Sequence, residues 1–390
     1  MDLKSILEAI AVPRPNYSAA VDKTADFISG TLSAWGVPFT AQEFPLRPWI
    51  MLILAITMLI LAGLFAWSVA RKRPLAALAL ALAAPAILVI ELELFTPVVS
   101  WVAEKPGKNI IVEFKSAHPE RELVFMAHYD SKSDFWDHEE RARVYRFLPL
   151  FFVLAIALAL WTFAARRSEK LGSGVPRAIA VGLAACHVLY FCLVALGFGG
   201  FIFVRDAHTS PGTADNATSV TALMALAKDL RGGKLDIGTS NVTILFTAGE
   251  EVNLQGADYF LKQRAKGAPG MKPAPMSVIN LELAGQVGDF CYAVRDGVFL
   301  KYYTPDPVLV AKAGAAWTSV SGRKMVEGEV ITDDAQRFMA AGIPSVTLGH
   351  NGTPGPGFGG FHSEKDSMAR IDLKNLDLMV KTLERLIVSF

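Results

Sequence analysis

Glu122-Leu-Val-Phe-Met-Ala-His128-Tyr-Asp130 is the stretch from which the fold reads outward. A short β-branched and aromatic run that stops abruptly at a histidine and an acid is a buried strand delivering polar side chains at its carboxyl end. The same grammar recurs twice. Asn241-Val-Thr-Ile-Leu-Phe-Thr-Ala248 runs into Gly249, Glu250 and Glu251, and Ser277-Val-Ile-Asn-Leu281 runs into Glu282. Strands of this kind predict an α/β fold, a mixed sheet flanked by helices, in which ligands bind at the carboxyl edge. Two further islands complete the set. Asp215 and Asn216 close Pro211-Gly-Thr-Ala just before a helical stretch with apolar Val220, Leu223, Met224, Ala227 and Leu230, and His362 follows the Gly- and Pro-rich run Gly352 to Gly360.

The residue types point to metal. Zinc accepts imidazole nitrogen and carboxylate oxygen at roughly 2.0–2.2 Å, and a catalytic zinc keeps one position open. Five such side chains are too many for one ion of that kind. With Asp215 as a bridge, one zinc takes His128, Asp215 and Glu282 and a second takes Asp215, Glu251 and His362. Two ions roughly 3.5–4 Å apart can acidify a shared water and polarise a carbonyl. Glu250, beside a ligand but free of metal, is placed as general base. Asp130, two residues after His128, can orient the imidazole through its other nitrogen.

Singly these motifs are weak, since His-x-Asp and Glu-Glu arise by chance in many chains; their order gives them weight. The ordered set resembles the co-catalytic dizinc exopeptidases, the family that includes aminopeptidase Y, secreted bacterial aminopeptidases and glutamate carboxypeptidase. The resemblance covers residues 109–142 and 205–390, and 1–46 loosely. It maps that family's motifs onto His128/Asp130, Asp215/Asn216, Glu250/Glu251, Asn280/Glu282 and His362/Asp366. Asp333-Asp334 to Phe338 and Gly342-Ile-Pro344 are similar to segments near its substrate pocket. It implies a cis peptide after Asp215, two zinc ions, a peptide substrate and aminopeptidase action. Departures are Glu282, where the family usually has aspartate, Phe361, where several relatives have tyrosine, and the residues Ala214 and Ser219. His350, Tyr302 and Tyr303 are alternative donors to a developing oxyanion.

Other polar residues read more plainly. His118, His138 and His208 are loop or surface histidines, and His187 is a polar residue of an apolar helix with a local partner. Asp366 orients or caps rather than ligates, and Asp334 is structural. Arg337 and Lys365 are the basic residues that carboxypeptidase action would need for a substrate carboxylate.

Composition adds a second half. The 390 residues are 52% hydrophobic with mean hydropathy +0.35, too apolar for an ordinary soluble hydrolase. The surplus lies in Trp49–Ala70, Pro74–Phe95, Phe147–Ala165 and Ala178–Val204, each near the about 20 residues that span a bilayer. They pair as two transmembrane hairpins, 47–97 and 143–204, inserted into a peptidase domain of 1–46, 98–142 and 205–390. Arg71-Lys72-Arg73 and the segment from Arg166 to Arg177 join the paired helices. The positive-inside bias keeps these turns cytoplasmic and the catalytic domain extracytoplasmic, although Arg47, Arg141, Arg143, Arg146 and Arg205 pull the other way. No cleavable signal precedes the first span. The second hairpin joins two ligand-bearing loops, so the site is expected near the bilayer, a position that suits hydrophobic peptides, signal-peptide remnants or lipid-borne substrates.

Lys+Arg 38 against Asp+Glu 37 leaves no basic field for nucleic acid. Cys186, Cys192 and Cys291 form no disulfide framework or thiolate site. Strands are expected near Val37–Phe44, Asn109–Phe114, Leu123–Ala127, Val242–Thr247, Ser277–Leu281 and Ser345–Leu348, with helices at Ala19–Trp35 and Leu373–Val388. Two other functions stay open: a glutaminyl-cyclase-like acyltransferase with one zinc, and a catalytically silent interaction or chaperone module.

Overall fold

The computed structural model describes residues 2–137, 140, 143, 147, 149–150, 153–154, 156–158, 160, 175–203, 209–266, 275–297, 301–329, 332–352 and 359–390. Most of the expected span Phe147–Ala165 and of the turn from Arg166 to Arg177, together with His138, His208 and the middle of the Gly352–Gly360 run, lies outside them. Residues Met1–Pro48, Glu104–Ser133 and Arg205–Phe390 form one compact unit, and Trp49–Ala103 with Asp134–Val204 form a second.

The first unit is built on an eight-stranded sheet. Its strands are β1 (Thr40–Leu46), β2 (Lys105–Phe114), β3 (Arg121–His128), β4 (Ser240–Thr247), β5 (Met276–Leu281), β6 (Phe290–Ala293), β7 (Val326–Gly328) and β8 (Ser345–His350). They lie in the order β1-β2-β4-β3-β5-β8-β6-β7. The central β4, β3, β5 and β8 are mutually parallel, while β1, β2 and β6 pair antiparallel with their neighbours. Parallel strands covered on both faces read as unbroken apolar runs rather than alternating ones, which is how the stretch ending at His128 reads.

One face of the sheet packs Val124, Met126, Leu245 and Val278 against Ala257 and Phe260 of helix Gln255–Lys266 and against Ala335 and Phe338 of helix Ala335–Ala340. Helix Thr218–Arg231 buries Val220, Leu223, Met224, Ala227 and Leu230, the stripe expected of it. Helix Leu373–Val388 buries Leu376, Met379, Leu383, Leu386 and Ile387, and helix Ala19–Ala34 buries Val21, Ile28 and Leu32. Phe260 is 1% exposed, and Phe260→Ala is expected to cost roughly 3–5 kcal/mol by lost burial plus the cavity left behind. A thermal melt in detergent reads this as a fall in Tm; an unchanged Tm contradicts the packing described.

Helix Pro307–Ser321 is an element the sequence reading omitted although its signals are complete. Asp306 caps it through Val308 N and Leu309 N, Pro307 opens it, and Gly322 at φ +69 ends it. β6 and β7 were omitted for a better reason, since four and three residues carry too little period to read.

In the second unit, Ile50–Ala70, Pro74–Glu93 and Val181–Phe203 are long and apolar enough to cross a membrane by length and composition. The last turn of the second is a π-turn, Val89–Glu93, and its buried Glu91 accepts from the amides of Val98, Val99 and Ser100. Small residues carry the packing: Ala77, Ala81 and Ala184 meet Phe65 and Leu158, which lets the helices approach closely. His187 sits between Phe65 and Phe191, at ring-centroid distances of 4.9 and 5.0 Å.

Candidate metal centre

Because β3, β4, β5 and β8 run parallel, their carboxyl ends share one edge, and the side chains just beyond them meet. His128 ends β3, level with Thr247 of β4. Beyond Thr247 the chain turns at Gly249, φ +76, where any side chain would strike Leu46 at 2.6 Å; the turn carries Glu250 and Glu251. Glu282 follows β5 directly, its amide donating to Leu348 O of β8 at 3.0 Å. Asp215 and His362 come from loops rather than strands.

Those loops are held by their neighbours. The Asp215–Asn216 peptide is cis, as the family resemblance implies. Asn216 Nδ2 donates to Leu281 O at 2.8 Å and its Oδ1 accepts from Leu283 N at 3.3 Å, so it grips the backbone on both sides of Glu282. Asp366 accepts from Ala214 N at 2.8 Å and Asp215 N at 3.2 Å. His362 takes φ +65, and Phe361 beside it packs on Ala214 and Leu283 beneath the guanidinium of Arg370, 4.2 Å from the ring.

Asp130 does more than the sequence suggested. Its carboxylate accepts from the amides of Gly249, Glu250 and Glu251 at 3.1, 3.4 and 3.1 Å and from Asn16 Nδ2 at 2.6 Å. It is thus the buried post around which the Glu250–Glu251 loop is wound. The Nδ1 of His128 lies 3.2 Å from the Asp130 carbonyl oxygen and 3.7 Å from its carboxylate. A proton on Nδ1 satisfies that carbonyl and leaves the Nε2 lone pair free for a cation.

The functional atoms then face one another at spacings metal ligands adopt. Nε2 of His128 is 3.2 Å from Asp215 Oδ1 and 3.4 Å from Glu282 Oε2. Nε2 of His362 is 3.4 Å from Asp215 Oδ2 and 3.1 Å from Glu251 Oε2. Two atoms bound at about 2.0–2.1 Å by one tetrahedral zinc stand about 3.3–3.4 Å apart. The groups His128, Asp215, Glu282 and Asp215, Glu251, His362 therefore fit one ion each, with one oxygen of Asp215 turned to each group. Glu282 reaches this position despite its extra methylene, its Oε1 held by Asn280 Nδ2 at 3.3 Å. Glu250 belongs to neither group and lies 3.9 Å from His128 Nε2.

Electrostatics agree with a demand for cations. Burial pushes the Glu282 carboxyl up to about 8 and the Asp334 and Asp366 carboxyls up to about 7. Burial also holds Glu250 well above the usual carboxylate range, with the charges of Glu251 and Glu282 adding to it against the pull of His128. Burial alone would lower His128, but Glu282 and Glu250 outweigh it and raise the imidazole well above its ordinary value. For Asp215 burial is outweighed by hydrogen bonds from His128 and His362, which hold it well below that range.

Since a cation must displace protons from Glu282 and His128, zinc affinity is expected to climb as pH rises from about 6 to 8, by about tenfold per unit for each proton released. Chelator competition at three pH values measures it; a flat profile contradicts it.

Residues 202–387 match the model of peptidase family M28. Over this stretch the chain is similar to that family. The match includes Asp215, Glu250, Glu251, Glu282 and His362, while His128 and Asp130 lie upstream of it. No curated protein matches the chain. Among solved structures it is similar to a leucine aminopeptidase precursor from Bacteroides thetaiotaomicron, at 15% identity and TM-score 0.55, covering 100% of this chain and 97% of that one. A glutaminyl cyclase of the same organism, bound to N-acetylhistamine, gives 15% identity and TM-score 0.56 over 100% and 98%. A Zn-dependent exopeptidase from Parabacteroides distasonis gives 16% identity and TM-score 0.53 over 99% and 97%. These likenesses establish a shared mixed α/β fold.

Several side chains flagged by sequence have other duties in the first unit. Arg337 forks onto Asp258 at 3.0 and 2.6 Å. His350 is buried against Phe290 and Trp317, and burial brings it down to about 3, so it stays neutral. Tyr302 lies beneath Arg295 and Tyr303 beneath Lys301. Asp334 accepts from Thr247 Oγ1. The sequence reading missed Arg14 and Asn16, both buried; the proline-bracketed Pro13-Arg14-Pro15-Asn16, too stiff for a helix and too polar for a strand, was the signal available.

Proposed function

We propose that this protein is a membrane-bound dizinc metallopeptidase, an exopeptidase acting as an aminopeptidase. The observation that carries it is the orientation of Asp215, whose two oxygens face His128 and His362 separately, because a carboxylate that turns one oxygen to each of two donor groups is what a bridge between two cations requires. His128, Asp215 and Glu282 would hold one zinc and Asp215, Glu251 and His362 the other. When bound, the pair supplies Lewis acidity at the scissile carbonyl and lowers the pKa of water. The residues do the rest. Glu250 accepts the proton of the attacking water and returns it to the leaving amine, a role suited to a carboxylate whose proton affinity burial has raised. Asp130 keeps Glu250 and Glu251 in place through their amides.

A second reading has one observation in its favour, the fold shared with glutaminyl cyclases. A single-zinc acyltransferase needs only one ligand group, so the second group offered here, His128 with Asp215 and Glu282, favours the peptidase. Full-length protein in detergent, assayed for metal and offered free, N-blocked, C-blocked and N-terminal-glutamine peptides, separates the readings. Two zinc ions with release of residues from unblocked amino termini support the proposal. One ion with cyclisation of glutamine, or no turnover at all, overturns it.

In this proposal residues 1–46, 98–142 and 205–390 are the peptidase domain, 47–97 and 143–204 are two hairpins making four spans, and the catalytic domain is extracytoplasmic. The basic turns Arg71–Arg73 and Arg166–Arg177 support the orientation. Protease protection of sealed vesicles tests it, with cleavage in the 231–239 loop expected only from the extracytoplasmic face.

A further inference from the structure

Behind the metal groups lies a cation that the mechanism above does not use. Arg14 is wholly buried, yet its guanidinium meets no carboxylate among the described residues. It donates instead to backbone oxygens: Nε to Tyr129 at 2.6 Å, Nη1 to Pro211 at 2.7 Å and to Ile10 and Val12 at 3.1 Å each, and Nη2 to Gly212 at 3.0 Å. Tyr129 sits between His128 and Asp130, and Gly212 is three residues before Asp215. The backbone of Arg14 is tied to the first of these loops as well, its amide donating to Ser131 Oγ at 3.0 Å and its carbonyl accepting from Ser131 N at 3.3 Å.

A buried, unpaired guanidinium is expensive unless dipoles and more distant charge offset its lost hydration. Both are here. The carbonyls supply dipoles in the fork geometry that only arginine matches, and Asp130, Asp366, Asp215 and Glu251 supply an anionic field. The second loop is closely fitted here: Gly212 takes φ +59, and a Cβ there would fall 2.5 Å from Ser131 Cβ, 2.7 Å from the Asp215 carbonyl oxygen and 3.0 Å from Arg14 Nη1.

We infer that Arg14 is a positioning residue whose guanidinium ties the His128 loop to the Asp215 loop and so fixes the spacing of the ligand atoms each contributes. The inference rests on the two-metal reading of the site. The clamp holds ligand-bearing backbone, so its removal acts on metal affinity and on kcat while leaving the rest of the sheet in place.

The experiment uses full-length wild type, Arg14→Lys, Arg14→Gln and Gly212→Ala, each stripped with chelator and titrated with zinc alone. Each variant is expected to bind zinc about 10–100-fold more weakly, to show a smaller zinc-induced rise in Tm, and to lose kcat with KM nearly unchanged. A merely structural arginine would lower the Tm of stripped and loaded protein equally. Lysine keeps the charge but cannot span the carbonyls, so full rescue by Arg14→Lys overturns the clamp. Wild-type zinc affinity in the glutamine and alanine variants overturns it too, as does a chain that fails to fold whether or not zinc is present. Wild type holding two ions beside unchanged variants removes this inference alone; wild type holding none removes the two-metal reading with it.

Discussion

Glu250→Gln is expected to retain both zinc ions and to lower kcat by about 10²–10⁴-fold, with KM almost unmoved. The amide has nearly the shape of the carboxylate but cannot take a proton from water. Glu250 stands outside both ligand groups, so metal content should not change, and its amide still donates to Asp130, so the loop should not shift. Turnover comparable to wild type by a variant with full metal content would discard Glu250 as the base. Loss of metal would instead place it among the ligands.

Asp215→Ala is expected to do the opposite, emptying the centre and abolishing activity together. Each cation would be left with two protein donors, His128 with Glu282 or Glu251 with His362, where the intact site offers three. His362→Ala removes a donor from one group only and should release a single ion with activity. The difference is readable in stability. Binding at about 1,000 times Kd contributes about 4 kcal/mol per site, so zinc should raise the Tm of wild type strongly, of His362→Ala less, and of Asp215→Ala hardly at all. Equal metal content in Asp215→Ala and His362→Ala would rule out a bridge.

What could be read from the sequence was whatever a run of neighbours encodes. β3, β4 and β5 announce themselves because strands buried on both faces must be apolar without interruption, and the polar residue that breaks each run is by construction at its end. Helix Thr218–Arg231 was equally plain, its apolar positions spaced for one face. Hidden from view were partnerships between residues far apart in the chain. Asn16 meets Asp130 across 114 positions and Arg14 meets Pro211 across 197, and nothing local to either residue signals its mate. The carboxylate of Asp130 shows the same limit: spacing tied it to His128, yet its oxygens serve amides that begin more than a hundred residues later.

Ser210 N donates to Ser133 Oγ at 2.8 Å, both side by side within the buried part of the first unit. Ser133 and Ser210, which bracket residues 134–209, are thus held together inside the first unit as a pinned neck. A pinned neck makes the length of the excursion almost irrelevant to the sheet, since closure entropy grows only slowly with the residues enclosed. The stretch 134–209 could therefore be lengthened, shortened or excised without re-registering a single strand.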